Sequence, residues 1–322
     1  MQFLKALTAL WFLAFGFAAT NASAEEYPQK PIKIIVGIGA GGITDVATRM
    51  YAQAVAEKIG QNIVIENRAG GGGAIAATAV NSAAPDGYTL LSFYGSQMAA
   101  VSAMQNVGFD PISGFQPITL LCENIMFLVV PADSPINSVS DLLNPNRKKP
   151  EELIFGTPGV GTPSHLLGER LARAKKTPVR VAHYRGGPAM MTDLIAGRLD
   201  FTLPSYTLAL PFITSNKIKV LAVDTRARLP EFPEVPTLDE VGLGPQRVAS
   251  WIGLAAPAGT SPAIINKLSE EFGKVAKDPE LKKRLAQIGT PIRTSTPDEM
   301  RSLLKAEMES ADKLIQELGM HK

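Results

Sequence analysis

The sequence predicts an α/β protein of two lobes, each a mainly parallel sheet flanked by helices, with two crossings that join the lobes. Strand and helix signals alternate along the chain, which is typical of parallel sheets covered by helices. The chain has 322 residues, more than one hydrophobic core usually serves. Each half also contains a glycine-rich loop between a strand and a helix, at Gly37–Gly42 and at Gly156–Gly161.

The first 24 residues have the features of a cleavable signal peptide. Lys5 gives a weakly positive start, Ala6–Ala19 is an apolar run, and Ala22–Ala24 fits the small-x-small cleavage pattern. The apolar run is shorter than the roughly 20 residues that a membrane span needs. We therefore expect cleavage near Ala24 and a mature protein that begins at about Glu25 in the periplasm.

The composition argues against several classes of function. Basic residues number 32 and acidic residues 30, without the clustered basic stripe of a nucleic-acid-binding surface. The single cysteine, Cys122, excludes an intrachain disulfide. The histidines His165, His183 and His321 lack metal-ligand spacing, and no Gly-x-Ser-x-Gly motif is present. We expect a monomer that has no metal, no cofactor and no enzymatic activity.

The first lobe is predicted to comprise residues 25–127 and 253–322. Its helices begin at Thr44, after the first glycine loop, and at Ala74. A further helix in the tail begins at Thr296 with the spacing of a capping box. The predicted strands of this lobe are Ile32–Val36, Ile63–Ile65, Thr89–Tyr94, Pro117–Leu121 and the returning strand Trp251–Ala256.

The second lobe is predicted to comprise residues 128–252. Thr162 is a suitable N-cap, and Pro163 follows at the first helical position, where its missing N–H costs nothing. Another helix should begin at Gly186–Pro188. The predicted strands are Met126–Val130, Leu153–Phe155, Val179–Tyr184, Leu199–Leu203 and Val220–Asp224. Closure is expected to hinge near Phe127–Val130 and Trp251–Ala255.

Both glycine loops have the features of an anion site. A strand, a glycine turn and a helix start together direct free backbone N–H groups at one point, where the helix dipole is positive. Two such loops, one in each lobe, would face each other across a cleft.

The first loop also permits a different interpretation. Gly37, Gly39 and Gly42 match the dinucleotide-binding fingerprint, and Glu66 stands where a ribose ligand would be expected. An exported enzyme or a nucleotide- or phosphate-binding protein that uses this loop therefore remains an alternative. A third possibility is that both loops are only tight turns that need positive φ. Export and the presence of a second loop favour a binding protein.

Segments along essentially the whole mature chain resemble the Bug family, the extracytoplasmic solute receptors of tripartite tricarboxylate transporters. The segments are Tyr27–Ile32, Gly39–Asp45, Glu66–Ala77, Ala84–Leu91, Gly156–Glu169, His183–Phe201, Leu229–Leu243 and Ser250–Pro262. The resemblance implies a type II periplasmic binding protein fold whose lobes close over a small carboxylate. The carboxylate would then be delivered to membrane permease subunits, although some relatives are thought to serve signalling instead.

The resemblance also implies which residues bind the ligand, chiefly through backbone amides and hydroxyls. Asp45 is expected to brace its helix more than to touch an anion, because like charges repel. Tyr94 and Ser96 are candidates for the cleft wall, with Tyr184. The two loops would contribute Gly41, Gly42, Ile43, Thr44, Asp45, Thr157, Gly159, Gly161, Thr162 and His165.

Departures from the family pattern suggest a particular ligand. Ile43 stands where a small residue is usual, and Pro204 and Ser205, followed by Tyr206, replace a common Asp-Asn pair. These changes make the predicted pocket less polar, so we expect a ligand with an aromatic or low-polarity body. Arg185 is a candidate partner for a distal carboxylate, because a guanidinium matches carboxylate geometry.

Overall fold

The computed structural model describes residues 27–144, 153–244, 248 and 250–320. The predicted signal peptide and His321 lie outside these ranges. The strands are β1 (Ile32–Val36), β2 (Ile63–Asn67), β3 (Thr89–Tyr94), β4 (Phe115–Glu123), β5 (Phe127–Pro131), β6 (Leu153–Thr157), β7 (Val179–His183), β8 (Phe201–Thr202), β9 (Ile218–Val223) and β10 (Trp251–Pro257).

The helices alternate with these strands through most of the chain. They are α1 (Ile43–Ile59), α2 (Ala74–Asn81), α3 (Gly95–Met104), α4 (Val139–Leu142), α5 (Pro163–Ala174), α6 (Gly187–Ile195), α7 (Tyr206–Thr214), α8 (Pro262–Val275), α9 (Pro279–Gln287) and α10 (Pro297–Glu317). None of the helices in the described ranges has the length and apolar character that a membrane span requires.

The strands form two sheets of five strands each, with the same topology. The first sheet has the order β2-β1-β3-β10-β4, and the second has the order β7-β6-β8-β5-β9. In each, two neighbouring pairs are parallel and two are antiparallel. The sheets are therefore mixed, because the fourth strand of each enters directly from the other lobe and runs against its neighbours.

The chain passes between the two sheets through two short segments that touch each other. Residues 124–126 lead from β4 to β5, and Ser250 directly precedes β10. The backbone N–H of Asn124 donates to the carbonyl of Ser250 at 2.8 Å, and their side chains are 3.0 Å apart. The crossings thus precede β5 and β10, the strands at which the sequence placed the hinge.

Helix α10 belongs to the cores on both sides of these crossings. Met300 and Leu304, near its start, pack in a buried cluster with Trp251 of the first sheet. Leu314 and Ile315, near its end, pack in the cluster that is built on the second sheet. The predicted lobe boundaries, 25–127 with 253–322 and 128–252, remain a prediction.

Most predicted elements are present, with three helices that the sequence signals did not reveal. These are α3, α7 and α9. Helix α3 is buried over its first seven residues, so it has no polar face to create a helical period. Helix α7 contains Pro211, a residue that normally argues against a helix interior.

The capping box that begins α10 provides a test of the C-terminal helix. The Thr296 side chain accepts from the N–H of Glu299 at 3.2 Å, and the Glu299 carboxylate accepts from the N–H of Thr296 at 2.8 Å. We expect Thr296→Ala to lower the free energy of unfolding by about 1 kcal/mol, measured by urea denaturation. Ser302→Ala, on the exposed face of the same helix, should change it little; equal losses in both variants would contradict the assignment.

Candidate functional site

A small cavity, the inner chamber, lies between the two sheets where their strands end. Its volume is about 40 Å³, enough for a carboxylate group or for a few waters at roughly 10–15 Å³ each. The lining residues are Ile38, Gly42, Ile43, Tyr94, Asn124, Met126, Pro158, Thr162, Pro163, Ser164, Gly187, Met190, Leu203, Pro204, Ser205 and Leu208.

Five helices begin at the wall of the inner chamber. Gly42 is the N-cap of α1, Thr162 of α5 and Ser205 of α7. Tyr94 is the N-cap of α3, and Gly187 is the first residue of α6. Each helix start has a positive dipole end and main-chain N–H groups without an intrahelical partner. The side chains of Thr162 and Ser205 take one of these N–H groups each, whereas α1 and α3 have no side-chain cap. Among the described residues, none that lines the chamber carries a charge, so its positive potential comes from the backbone.

The first loop is fixed by a buried carboxylate. Asp45 accepts hydrogen bonds from the Gly41 N–H at 3.0 Å, Arg49 Nε at 2.9 Å and Asn67 Nδ2 at 3.0 Å. Asn67 Nδ2 also donates to the carbonyl oxygen of Ile38 at 3.0 Å, so this oxygen already has a hydrogen-bond donor. Asp45 thus braces the first loop; that it braces its helix more than it touches an anion stays a prediction.

The lowered pKa of Asp45 indicates that its carboxyl group is ionised while it holds the first loop. Burial would raise the pKa of this carboxyl, but hydrogen bonds from Arg49, Gly41 and Asn67 outweigh burial and hold the pKa below its usual value.

The second loop is fixed by two threonines and a histidine. The hydroxyls of Thr157 and Thr162 both donate to the carbonyl of Gly159, at 2.9 Å and 2.8 Å. The N–H of Gly161 donates to Nδ1 of His165 at 3.1 Å. This bond has the same four-residue spacing as the bond from Gly41 to Asp45, so each lobe fixes its loop with a side chain from the first turn of the following helix.

His165 must be neutral to hold the second loop, because an Nδ1 that accepts a hydrogen bond carries no proton. Burial, reinforced by the nearby His183, lowers its pKa from 6.5 to about 4. The two imidazole rings meet edge to face with centroids 4.8 Å apart.

The hydroxyls of Ser164 and Ser96, in the first turns of α5 and α3, are buried and have no hydrogen-bond partner within the described part of the chain. Buried polar groups are normally satisfied by protein or by ordered water, so Ser164 Oγ, at the chamber wall, is available to a ligand. Burial raises the pKa of Tyr94 above its usual value, so its phenol stays protonated and can donate a hydrogen bond.

A larger cavity, the vestibule, adjoins the inner chamber at Ile38 and Pro158, which line both. Its volume is about 420 Å³. Arg185, which is exposed, is the one charged residue among the described residues lining it. The lining residues are Gly37, Ile38, Ala69, Gly70–Gly73, Ile75, Gln97, Gln105, Pro158, Gly159, Val160, His183, Tyr184 and Arg185.

The predicted site residues fall into three positions around the cleft. Gly42, Ile43, Tyr94, Thr162 and Ser205 line the inner chamber. Gly159, Tyr184 and Arg185 line the vestibule. The remaining residues stand behind these walls or support the loops, namely Gly41, Thr44, Asp45, Ser96, Thr157, Gly161 and His165.

The structure does not bring Tyr206 to the cleft. Its ring packs against Phe127 and Phe232 and lies in a separate hollow beside Gly289 and Thr290. Tyr206 therefore does not make the ligand pocket less polar. A low-polarity ligand remains a prediction, now based on Ile43, Pro204 and Ser205, which line the inner chamber.

Sequence reasoning missed most of the apolar wall and one loop. Met126, Met190 and Leu208 of the inner chamber carry no motif, since apolar residues of this kind occur throughout a core. The run Gly70–Gly73 could have been found, because it follows β2 at the same sheet edge as the first loop, where ligands of open α/β sheets bind.

Glu66, the residue that suggested a nucleotide ligand, forms ion pairs with two basic side chains of its own lobe. Its carboxylate is 3.2 Å from Lys33 Nζ and 2.6 Å from Arg68 Nε. In the described ranges, no three His, Cys, Asp or Glu side chains are grouped as metal ligands would be.

Comparison with known proteins places the chain in a family. Residues 47–320 match the model of the tripartite tricarboxylate transporter family receptor, TctC. The chain belongs to this family. Its members are periplasmic solute-binding receptors, not enzymes, and this excludes the alternative of an exported enzyme.

Curated relatives of this TctC family cover nearly the whole chain. A UPF0065 protein of Agrobacterium vitis, from the TAR-I ttuE-ttuC′ intergenic region, is 36% identical over 299 residues, 92% of this chain and 86% of the relative. BugT of Bordetella pertussis is 30% identical over 311 residues, 96% of this chain and 95% of BugT.

Solved structures of TctC relatives share the fold. The periplasmic binding protein BugD has a TM-score of 0.87 and 30% identity, over 92% of this chain and all of BugD. Malate-bound MatC of Rhodopseudomonas palustris has a TM-score of 0.84 and 28% sequence identity, over 90% of this chain and 100% of MatC. Rpa4515 of R. palustris with adipate has a TM-score of 0.85 and 29% sequence identity, over 91% of this chain and 99% of that protein.

The buried His165 predicts an acid-dependent loss of stability. Because its pKa is about 4 in the folded protein and 6.5 in the unfolded chain, its contribution is complete above pH 6.5 and is lost as the pH falls towards 4. The difference corresponds to roughly 3 kcal/mol. His165→Asn keeps an acceptor for Gly161 and should flatten the dependence of the unfolding free energy on pH in this window.

The measurement is urea denaturation at several pH values between 7 and 4. His183→Gln is the companion variant: the ring of His183 packs against that of His165 and burial lowers its own pKa, but it holds no loop, so this variant should flatten the pH dependence less than His165→Asn does. If His165→Asn and the wild type lose stability equally over this range, His165 is not the group responsible.

Proposed function

We propose that this protein is a periplasmic receptor that captures a small carboxylate with one carboxylate group in the inner chamber and delivers it to the permease of a tripartite tricarboxylate-type transporter. The observation that carries the proposal is the convergence of five helix N-termini on a chamber whose walls have no charged side chain. Export by the signal peptide 1–24, a monomeric state and a role in uptake instead of signalling belong to the same proposal.

The chamber suits an anion for two physical reasons. Free N–H groups at helix starts donate hydrogen bonds, and those to charged groups contribute roughly 1.5–3 kcal/mol each. The dipoles add about 0.3–2 kcal/mol each at close range. An ammonium group would meet the same positive potential unfavourably, so amino groups are disfavoured inside the chamber.

The vestibule suits a second acidic group. The relatives MatC and Rpa4515 were solved with malate and adipate, both dicarboxylates. In this chain, Arg185 lines the vestibule and makes no ion pair with any described residue. We propose that its guanidinium holds a distal carboxylate. Since Arg185 is exposed, solvent screens this contact and its contribution is modest.

The body of the ligand is proposed to be narrow where it leaves the inner chamber. Ile38, Met126 and Met190 give the chamber wall an apolar character, which supports a low-polarity segment beside the carboxylate. However, about 40 Å³ is far less than the ~150 Å³ of an apolar cavity that holds benzene. A straight methylene chain fits this passage, and an aromatic ring would have to lie in the vestibule.

A carboxylate introduced at the start of α5 should imitate the ligand. Ser164 lies in the first turn of α5 at the chamber wall, where a negative charge is favoured by the dipole. Ser164→Asp is expected to raise the melting temperature of the unliganded protein and to abolish the thermal shift caused by carboxylic acids. The measurement is a thermal-shift screen with succinate, malate, adipate, citrate and benzoate after refolding from denaturant.

Ser164→Ala is the matched control for this substitution. It removes one hydroxyl contact and should weaken acid binding by about ten- to a hundredfold, the value of one hydrogen bond to a charged group, without abolishing it. The proposal is contradicted if none of the five acids stabilises the wild type, or if Ser164→Asp binds them as well as the wild type does.

If Arg185 binds a distal carboxylate, the protein should bind a dicarboxylate more tightly than a monocarboxylate of the same length. Adipate should bind the wild type more tightly than hexanoate, which has the same chain length and a single carboxylate. Arg185→Gln should reduce this preference by about three- to tenfold and leave hexanoate affinity unchanged, because a partly solvated ion pair contributes about 1 kcal/mol. Titration calorimetry gives both affinities; an unchanged ratio would remove Arg185 from the site.

A further inference from the structure

Gly39, the middle glycine of the fingerprint-like loop, is not required by the turn it occupies. Its φ lies outside the left-handed region, unlike that of Gly41 at +81°. A residue of any type could adopt the backbone conformation of Gly39. The absence of a side chain at this position therefore needs another explanation.

The explanation lies in the opposite lobe. A Cβ placed on Gly39 would lie 2.5 Å from the carbonyl oxygen of Arg185, 3.6 Å from its carbonyl carbon and 3.8 Å from Cα of Gly186. These three atoms belong to the loop between β7 and α6. Apart from the two chain neighbours of Gly39, no atom of the first lobe is nearer to that Cβ than they are, so the conflict arises only when the lobes are together.

A Cβ on one other glycine of the cleft, Gly161, would also meet only the opposite lobe, with Val101 at 2.7 Å, but its φ of +72° would make a substitution strained in the open protein too. A Cβ on Gly72 would meet the carbonyl of Val160 across the cleft at 2.8 Å, but it would also meet Val101 of its own lobe at 2.5 Å. Gly72 also has a φ of +61°. Substitution of Gly72 would therefore disturb the open protein too, whereas substitution of Gly39 would not.

The contact at Gly39 is part of a closed arrangement of the two lobes. Gly186 reciprocates it, since a Cβ there would lie 3.5 Å from Cα of Gly39. A second contact across the cleft joins Gln97 Nε2 to the carbonyl oxygen of Val160 at 3.5 Å. The inner chamber, which has walls from both lobes, is complete only in this arrangement.

We propose that Gly39 is a positioning residue for ligand capture: its missing side chain allows the lobes to close until its backbone meets the Arg185 carbonyl. This inference rests on the proposed receptor function and adds the residue that controls closure. It also explains the fingerprint. In dinucleotide-binding folds the second glycine lets the backbone approach a pyrophosphate, and here the same position lets it approach the other lobe.

The substitution Gly39→Ala should therefore prevent closure of the lobes without affecting folding. The methyl group would be opposed by a backbone carbonyl, which cannot rotate away as a flexible side chain can. We expect the closed population to fall at least tenfold. Apparent affinity for a ligand held by both lobes falls by the same factor, because it scales with the fraction of closure-competent protein.

The test is pulsed electron–electron distance measurement between spin labels, one on each lobe. Lys58→Cys and Lys175→Cys place the labels on exposed positions, and the native Cys122 is buried and does not compete. The labelled protein is measured alone and with 10 mM adipate, malate or citrate. Gly273→Ala is the matched control, because Gly273 has an ordinary φ and no atom within 4 Å of its Cβ position.

We expect two distance populations in the labelled wild type and in Gly273→Ala, with the closed one enriched by an acid that binds. In Gly39→Ala the closed population should be at least tenfold smaller, while the unliganded melting temperature stays that of the wild type. A closed population equal to that of the wild type would overturn the inference. A Gly39→Ala protein that melts earlier or does not fold would also overturn it, because the open lobe is argued to accept the methyl group.

The same experiment distinguishes this inference from the receptor function itself. If no acid changes the distances or the melting temperature of the wild type, the proposed function fails. The role of Gly39 is still decided in that case by the closed population of the unliganded proteins. If that population is missing from the wild type as well, closure at Gly39 is wrong.

Discussion

The direction of the helix starts is the constraint on which the rest of this structure depends. In each sheet the parallel strands end at the edge that faces the other lobe, and a helix follows each of them, directly or after a short loop. Helices α1 and α3 follow β1 and β3, and α5 follows β6, so their N-termini point into one space between the lobes. A positive potential is thereby concentrated in the inner chamber without a cationic side chain.

This arrangement has a consequence for the loops, whose carbonyl groups must not face a bound anion. In the first loop Asn67 takes the carbonyl of Ile38, and in the second loop two threonine hydroxyls take the carbonyl of Gly159. The supporting acceptors differ: Asp45 is ionised and paired with Arg49, whereas His165 is neutral and buried. The two lobes thus hold their loops with different side chains, and only the hydrogen bond to His165 depends on pH near neutrality.

The sequence predicted the parts of the fold that have local signals. The strands β1, β3 and β6, the Thr162 cap and the capping box at Thr296 follow from β-branched runs, turn residues and spacing. Helix α3 could not be predicted, because it is buried on all sides at its start and shows no period. The mixed character of the sheets also had no local signal, since it depends on the long-range entry of β5 and β10.

The site was predictable to the extent that glycine loops and helix caps define it. Gly42, Ile43, Tyr94, Thr162 and Ser205 were expected and do line the inner chamber. The placement of Tyr206 was not predictable: it follows the Ser205 cap directly, but the helical turn directs its ring towards Phe127 and Gly289 instead. The significance of Gly39 was likewise invisible, because its neighbour is Arg185, far away along the chain.

A crystal structure with a bound acid, the one that stabilises the protein most in the thermal screen, would test the central claim most directly. The account predicts one carboxylate group in the inner chamber, its oxygens about 3 Å from main-chain N–H groups at the starts of α1 and α5 and no side-chain cation in contact with it. A carboxylate held by a lysine or arginine, or an acid bound wholly outside the inner chamber, would contradict it.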